Sequence, residues 1–82
     1  MQWFFYHTEG CHLCDEAYAL LKPLIREGHI KIEPVDIIDD ESLFALFATS
    51  IPVVKDQQSG QLLAWPFDER QVIEFIQGCM PS

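Results

Sequence analysis

Basic side chains are scarce. Five Lys and Arg stand against thirteen Asp and Glu in 82 residues, a formal charge of −8. No basic stripe runs along the chain, which argues against a binder of nucleic-acid phosphates and makes an anionic membrane surface an equally poor partner. Long apolar runs are missing too: none approaches the ~20 residues needed to span a bilayer. The opening Met1-Gln2-Trp3-Phe4-Phe5-Tyr6 has neither a basic n-region nor a small-residue cleavage site, so no signal peptide is expected and the expected location is cytoplasmic. Cysteine is limited to three residues, an odd number that does not suit the paired framework of a small secreted domain. Repeats, low-complexity tracts and linkers are absent, so residues 1–82 read as one domain, expected to be a monomer. No G-x-G-x-x-G, P-loop or Ser-His-Asp pattern supports hydride transfer or hydrolysis.

Apolar residues, by contrast, make up 49% of the chain and aromatic ones 12%. That suffices for a thin core in a domain of this size, which hides roughly 60–65% of the surface its unfolded chain exposes. Gln2 to His7 reads as a buried strand ahead of the turn Thr8-Glu9-Gly10. Leu13, Ala17, Leu20, Leu21 and Leu24 then make one stripe of a helix from about Cys11 to Glu27, stopped by Gly28. Pro23 should bend that helix or end its regular part early. Ile30 to Ile38 reads as a strand, interrupted or placed at an edge by Pro34. Asp39-Asp40-Glu41-Ser42 supplies caps for a short helix carrying Leu43, Phe44, Leu46 and Phe47 and ending near Thr49. Ile51 to Lys55 and Gln61 to Trp65 form a hairpin around a polar turn. In the last helix, Asp68 and Gln71 are spaced as a capping box and Phe67 and Val72 as a hydrophobic staple. Its buried stripe is Val72, Ile73, Phe75 and Ile76, and Gly78 is its expected end. The order is β-α-β-α-β-β-α: an α/β domain with a mixed four-stranded sheet flanked by three helices.

The chemistry concentrates at Cys11-His12-Leu13-Cys14. A C-x-x-C pair at the head of a helix places a sulfur against free backbone N–H groups and the positive end of the helix dipole, and both favour thiolate over thiol. Cys14, about one turn on, can reach a disulfide formed at Cys11. Cys11 is therefore the candidate attacking thiolate and Cys14 the more buried resolving thiol. A thiol of pKa ~8.5 is about 3% ionised at pH 7, whereas one near 7 is half ionised; the change requires about 2 kcal/mol, within reach of aligned N–H groups and the dipole. A protonated His12 would add to it, while Glu9, Asp15 and Glu16 act against it.

Other readings of these residues stand beside that one. The pair is also compatible with half of a zinc site, although only Cys79, His7, His12 and His29 remain to complete four ligands, and with two inert buried thiols. His12 reads as a solvated helix-start residue before it reads as a catalytic base, His7 as structural and Cys79 as a tail cysteine. Trp3, Phe4, Phe5, Phe44, Phe47 and Phe75 read as core, and so do Trp65 and Phe67 rather than as site walls. Asp39-Asp40-Glu41 is a helix cap before it is a ligand cluster.

Gly10-Cys11-His12-Leu13-Cys14-Asp15-Glu16-Ala17, then Val35-Asp36-Ile37 ahead of Asp39-Asp40, Ile51-Pro52-Val53 and Trp65-Pro66-Phe67-Asp68 resemble the bacterial glutaredoxin-like family of small thioredoxin-fold proteins. The resemblance spans nearly the whole chain. It implies a thioredoxin fold and a thiol–disulfide oxidoreductase working through Cys11 and Cys14 in cell redox homeostasis. It also implies a cis peptide at Pro52, with the Ile51 N–H and C=O free to pair with an extended substrate. Glutathione enters as the implied electron donor, without any bound cofactor or metal. His12, Leu13, Ser50, Ile51, Pro52 and Asp68 are the implied binding residues, with Thr49 beside them. His-Leu stands here where glutaredoxins commonly have Pro-Tyr, and Trp65-Pro66-Phe67 where they have Gly-Gly. The expected partners are a disulfide-bearing protein or small thiol, and as donor either glutathione or a thioredoxin-reductase-type protein. Two further classes share these residues: a binding module that docks peptides beside Pro52 without turnover, and a metal or iron–sulfur carrier with Cys11 ligating across a dimer.

Overall fold

The computed structural model describes residues 1–79. The strands are β1 (Gln2–His7), β2 (Lys31–Asp36), β3 (Val53–Asp56) and β4 (Leu62–Ala64), and the helices α1 (His12–Arg26), α2 (Glu41–Phe47) and α3 (Glu69–Cys79). A 3₁₀ turn, Ile37–Asp39, links β2 to α2. The sheet order is β2-β1-β3-β4, with β1 parallel to β2 and the other neighbours antiparallel, as the expected connections require.

Alternation along β1 builds two cores. Trp3 and Phe5 face α1 and α3, packing with Cys14, Ala17, Leu21, Val54, Phe67 and Val72. Tyr6 faces the other way, with Ile37 and Val53, and Phe4, Leu43 and Phe47 close that smaller cluster. Tyr6 stacks on Phe47 at 4.7 Å between ring centroids. Burial holds the Tyr6 hydroxyl above its ordinary pKa of 10.0. In the unfolded chain that hydroxyl loses its proton first, so its contribution to stability is complete below pH 10.0 and declines as pH rises toward the folded value. Denaturant melts at rising alkaline pH are expected to show a shallower loss for Tyr6→Phe than for the parent.

The ends of the elements follow local chemistry. Gly28, at φ +80°, accepts the left-handed conformation that closes α1: its N–H donates to the Ile25 carbonyl and that of His29 to Leu24. The capping box of α3 is reciprocal, with the Gln71 N–H donating to Asp68 Oδ1 at 2.8 Å and the Asp68 N–H to Gln71 Oε1 at 2.9 Å. Asp68→Ala is therefore expected to cost about 1 kcal/mol of stability, read from a shifted denaturation midpoint.

Several boundaries and burials differ from the sequence expectation. Pro23 does not end α1, which runs on to Arg26; the proline and Ala19, whose carbonyl it leaves without an N–H partner, are both exposed residues. The second strand stops at Asp36, because Asp36 caps the 3₁₀ turn by accepting from the Ile38 N–H. β2 is an edge strand, where Pro34 is tolerated. The third strand starts at Val53, after Pro52, and the fourth covers only Leu62–Ala64. Helix α2 ends at Phe47, and α3 runs through Gly78 to Cys79. Leu13 is 47% and Phe44 46% exposed, so neither is core; Ile73 is exposed as well. Helix α2 has no fully buried residue, since only its Leu43 and Phe47 side reaches the sheet. Cys79 is buried, and the Ser59 hydroxyl donates to its sulfur at 3.7 Å. Asp56, 2% exposed, accepts from the Ser59 N–H at 2.8 Å and ties the hairpin turn. Nothing in its pattern distinguished Asp56 from the polar turn that follows it.

Candidate functional site

The strand register gathers the predicted site residues at one end of the sheet. His7 pairs with Asp36, Tyr6 with Val53, and Val53 in turn with Ala64. The chain leaving β1 toward Cys11, the Pro52 segment and the Trp65–Asp68 connection therefore all lie at that end. The Trp65 N–H donates to the Pro52 carbonyl at 2.9 Å, joining the last two.

Gly10, at φ +78°, turns the chain into α1 with Cys11 as its N-cap. Here the cap atom is sulfur: the Cys14 N–H donates to Cys11 Sγ at 3.1 Å. The Asp15 N–H donates to the Cys11 carbonyl at 3.2 Å, opening the helical ladder. Cys11 and Cys14 are joined as a disulfide, with Cα atoms 5.2 Å apart. Cys14 is 4% exposed and belongs to the main core, whereas Cys11 is half-buried. One sulfur thus faces the approach and the other lies behind it. His12 and Leu13, between them, are exposed.

Ser50 and Ile51 are half-buried and Pro52 buried. Ile51 packs against both cores, as Cys11 does against the larger one. The Ile51–Pro52 peptide is cis, and so is Trp65–Pro66. The Ile51 N–H is not free for a substrate, contrary to the expectation from the resemblance. It donates to the Phe47 carbonyl at 3.0 Å, which also accepts from the Ser50 N–H at 2.8 Å, because the chain turns tightly as it leaves α2. Thr49 is exposed at that turn, and Asp68, on the connection that leaves β4 at the same end of the sheet, is exposed with one carboxylate oxygen engaged in its cap. Trp65 and Phe67 meet edge to face at 5.0 Å and pack into the core.

Pattern reading missed a cavity of about 370 Å³ against Cys14. It lies between α1 and the β1–β2 edge, lined by Phe5, His7, Thr8, Cys14, Asp15, Tyr18 and Pro34. Phe5 and Pro34 are register partners, and the Phe5 ring lies 5.8 Å from His7 and 6.1 Å from Tyr18. A larger cavity, of about 580 Å³, opens at the opposite end of the sheet beside Met1, His29 and Cys79, away from the disulfide. Among the described residues, no three His, Cys, Asp or Glu side chains gather into a metal-binding group, and no helix is long and apolar enough to cross a membrane.

Comparison with known proteins agrees with this geometry. The glutaredoxin-like domain family (DUF836) matches residues 3–77. The X-ray structure of target protein XcR50 from X. campestris is 31% identical, with a TM-score of 0.81 over 95% of this chain and 99% of that one. The solution structure of the X. campestris protein gives 30% identity and 0.80, each chain fully covered. Thioredoxin 1 from Thermosipho africanus shares the fold at 21% identity, with a TM-score of 0.70 over 95% of this chain and 92% of that one. No curated protein matches the chain significantly. Matched over residues 3–77, with its cysteine pair at the head of the first helix of a thioredoxin fold, the chain belongs to the glutaredoxin-like domain family.

Proposed function

We propose that the protein is a thiol–disulfide oxidoreductase that cycles between the Cys11–Cys14 dithiol and disulfide. The observation that carries this reading is the Cys14 N–H aimed at Cys11 Sγ, 3.1 Å away. In the dithiol form that N–H would meet a sulfur anion, and a charge-assisted hydrogen bond at a helix N-terminus favours the thiolate. Cys11 then attacks one sulfur of a substrate disulfide. A mixed disulfide forms, and the other substrate sulfur leaves as a thiolate that takes a proton from solvent. Cys14, deprotonated in turn, attacks Cys11 Sγ, releases the second substrate thiolate and closes the Cys11–Cys14 bond. Two electrons have passed to the substrate. A thiol donor, either glutathione or the dithiol of a reductase protein, returns them by the reverse exchange.

Substrate contact falls to the groups around the pair. His12 and Leu13, both exposed, and Ser50, Ile51 and Pro52, on the connection that enters β3 at the same end of the sheet, would meet the substrate. An extended substrate beside Pro52 would pair with the Ile51 carbonyl and not with its N–H, which Phe47 holds. Asp68 is the group available to a substrate amine, and any test of it must be read beside its capping role. The expected setting is the reducing cytoplasm.

Redox titration in glutathione and dithiothreitol buffers tests the reading. A reversible two-electron transition between Cys11–Cys14 dithiol and disulfide is expected. A midpoint near about −270 mV would mark a reductase, and one above about −180 mV an oxidant or isomerase. Thiols that never re-form the bond would overturn the proposal and leave a binding module on the same fold.

A further inference from the structure

We propose that the cavity beside Cys14 is a specificity pocket for a lysine or arginine side chain of the disulfide-bearing polypeptide. The inference rests on the redox reading of the Cys11–Cys14 pair and adds to it the class of substrate. The cavity, about 370 Å³, lies against Cys14 and Asp15 in the first turn of α1; with the Cys11 and Cys14 Cα atoms 5.2 Å apart, a long, slender side chain of a polypeptide joined to Cys11 can reach it even though the Cys14 sulfur is closed to a bulky substrate. Its lining combines the aromatic residues Phe5, Tyr18 and His7 with Asp15, whose side chain is exposed. Aromatic faces beside a carboxylate suit a long cationic side chain, whose methylenes cover the rings while its charge meets carboxylate and π-face. Among the described residues Asp15 forms no ion pair, so that charge is available.

The distribution of charge supports the same occupant. Asp36 pairs with His7 at the disulfide end of the sheet, and Glu9, Asp15, Asp39, Asp40 and Asp68 lie on the segments that follow β1, β2 and β4 at that end. Lys22, Arg26, Lys31 and Lys55 lie toward the other end; Arg70, in the first turn of α3, is among the described residues the one cation near the disulfide end and makes an exposed pair with Glu74 at 3.3 Å. A cationic polypeptide is therefore drawn to the site, whereas an anionic disulfide such as that of glutathione is repelled.

Disulfide-linked peptide dimers with Lys, Gln or Glu two residues from the cysteine test this. Their reduction by the dithiol protein is followed at low ionic strength and about pH 8, where charge attraction is least screened. The Lys peptide is expected to react at least about five-fold faster than the Gln peptide, and the Glu peptide slowest. Asp15→Asn and Tyr18→Ala should each bring the Lys-to-Gln ratio toward one; both side chains are exposed, and the ratio cancels any effect on the thiolate common to the two peptides. Glu27→Gln, at the far end, should leave the ratio unchanged. Equal rates for Lys and Gln peptides in the parent would overturn the proposal. So would a ratio that Asp15→Asn and Tyr18→Ala leave intact, because the preference would then come from net charge and not from the pocket. If no peptide is reduced at all, the redox reading fails, and this inference fails with it.

Discussion

Serine in place of Cys11 is expected to abolish disulfide reduction, leaving only the rate of buffer thiols. The hydroxyl cannot ionise near neutral pH, so the helix N-terminus has no anion to hold and no nucleophile to present. Cys14 cannot substitute for it: at 4% exposure it sits behind Cys11 in the core, out of reach of a bulky substrate. Cys14→Ser should fail in a different way. Cys11 still attacks, but nothing releases the product, and a mixed disulfide of one substrate per protein accumulates, visible by mass spectrometry and cleared by added reductant. Retained turnover in Cys11→Ser, or no adduct in Cys14→Ser, would contradict the assigned roles.

Trp3→Ala carries the largest expected loss of stability. Trp3 is wholly buried beneath α1 and α3 and meets the Phe75 ring edge-on at 5.2 Å. Truncation removes the largest buried side chain and opens a cavity that neighbours on a four-stranded sheet cannot collapse to fill. The cost should be about 3–5 kcal/mol, against a total of about 4–12 kcal/mol for a chain of this length. Denaturant melts should show a midpoint near or below the start of the parent's transition. Trp3→Phe should cost far less. It keeps an aromatic edge on Phe75 and removes the indole N–H, which is buried without a partner. A Trp3→Ala midpoint within about 1 kcal/mol of the parent would mean that Trp3 does not anchor the core.

Features set by neighbours in sequence were legible before the fold was known. The α3 capping box needs only Asp68 and Gln71, and its two hydrogen bonds have the partners that their spacing implies. The C-x-x-C at the start of a helix is equally local, and Cys11 does cap α1. Periodicity identified α1 and α2 but could not say which apolar positions would find a partner. Leu13 falls on the stripe of α1, yet it lies in the first turn, beyond the cover of the sheet. Phe44 falls on that of α2, whose short length turns only one side to the small second core. The resemblance leaves the Ile51 N–H free for a substrate; the tight exit from α2 that turns it onto Phe47 has no sequence pattern of its own. Least legible was the pocket beside Cys14. Phe5, Tyr18 and Pro34 come from three different elements and meet only once β2 pairs with β1 and α1 crosses their edge.

The most direct measurement is the pH dependence of alkylation at Cys11 in the reduced protein, followed by mass mapping. An amide at 3.1 Å and a helix N-terminus predict a midpoint below the ~8.5 of an ordinary thiol, with Cys14 reacting far more slowly. A Cys11 midpoint at or above that of a free thiol would contradict the claim that this helix end holds a reactive sulfur anion.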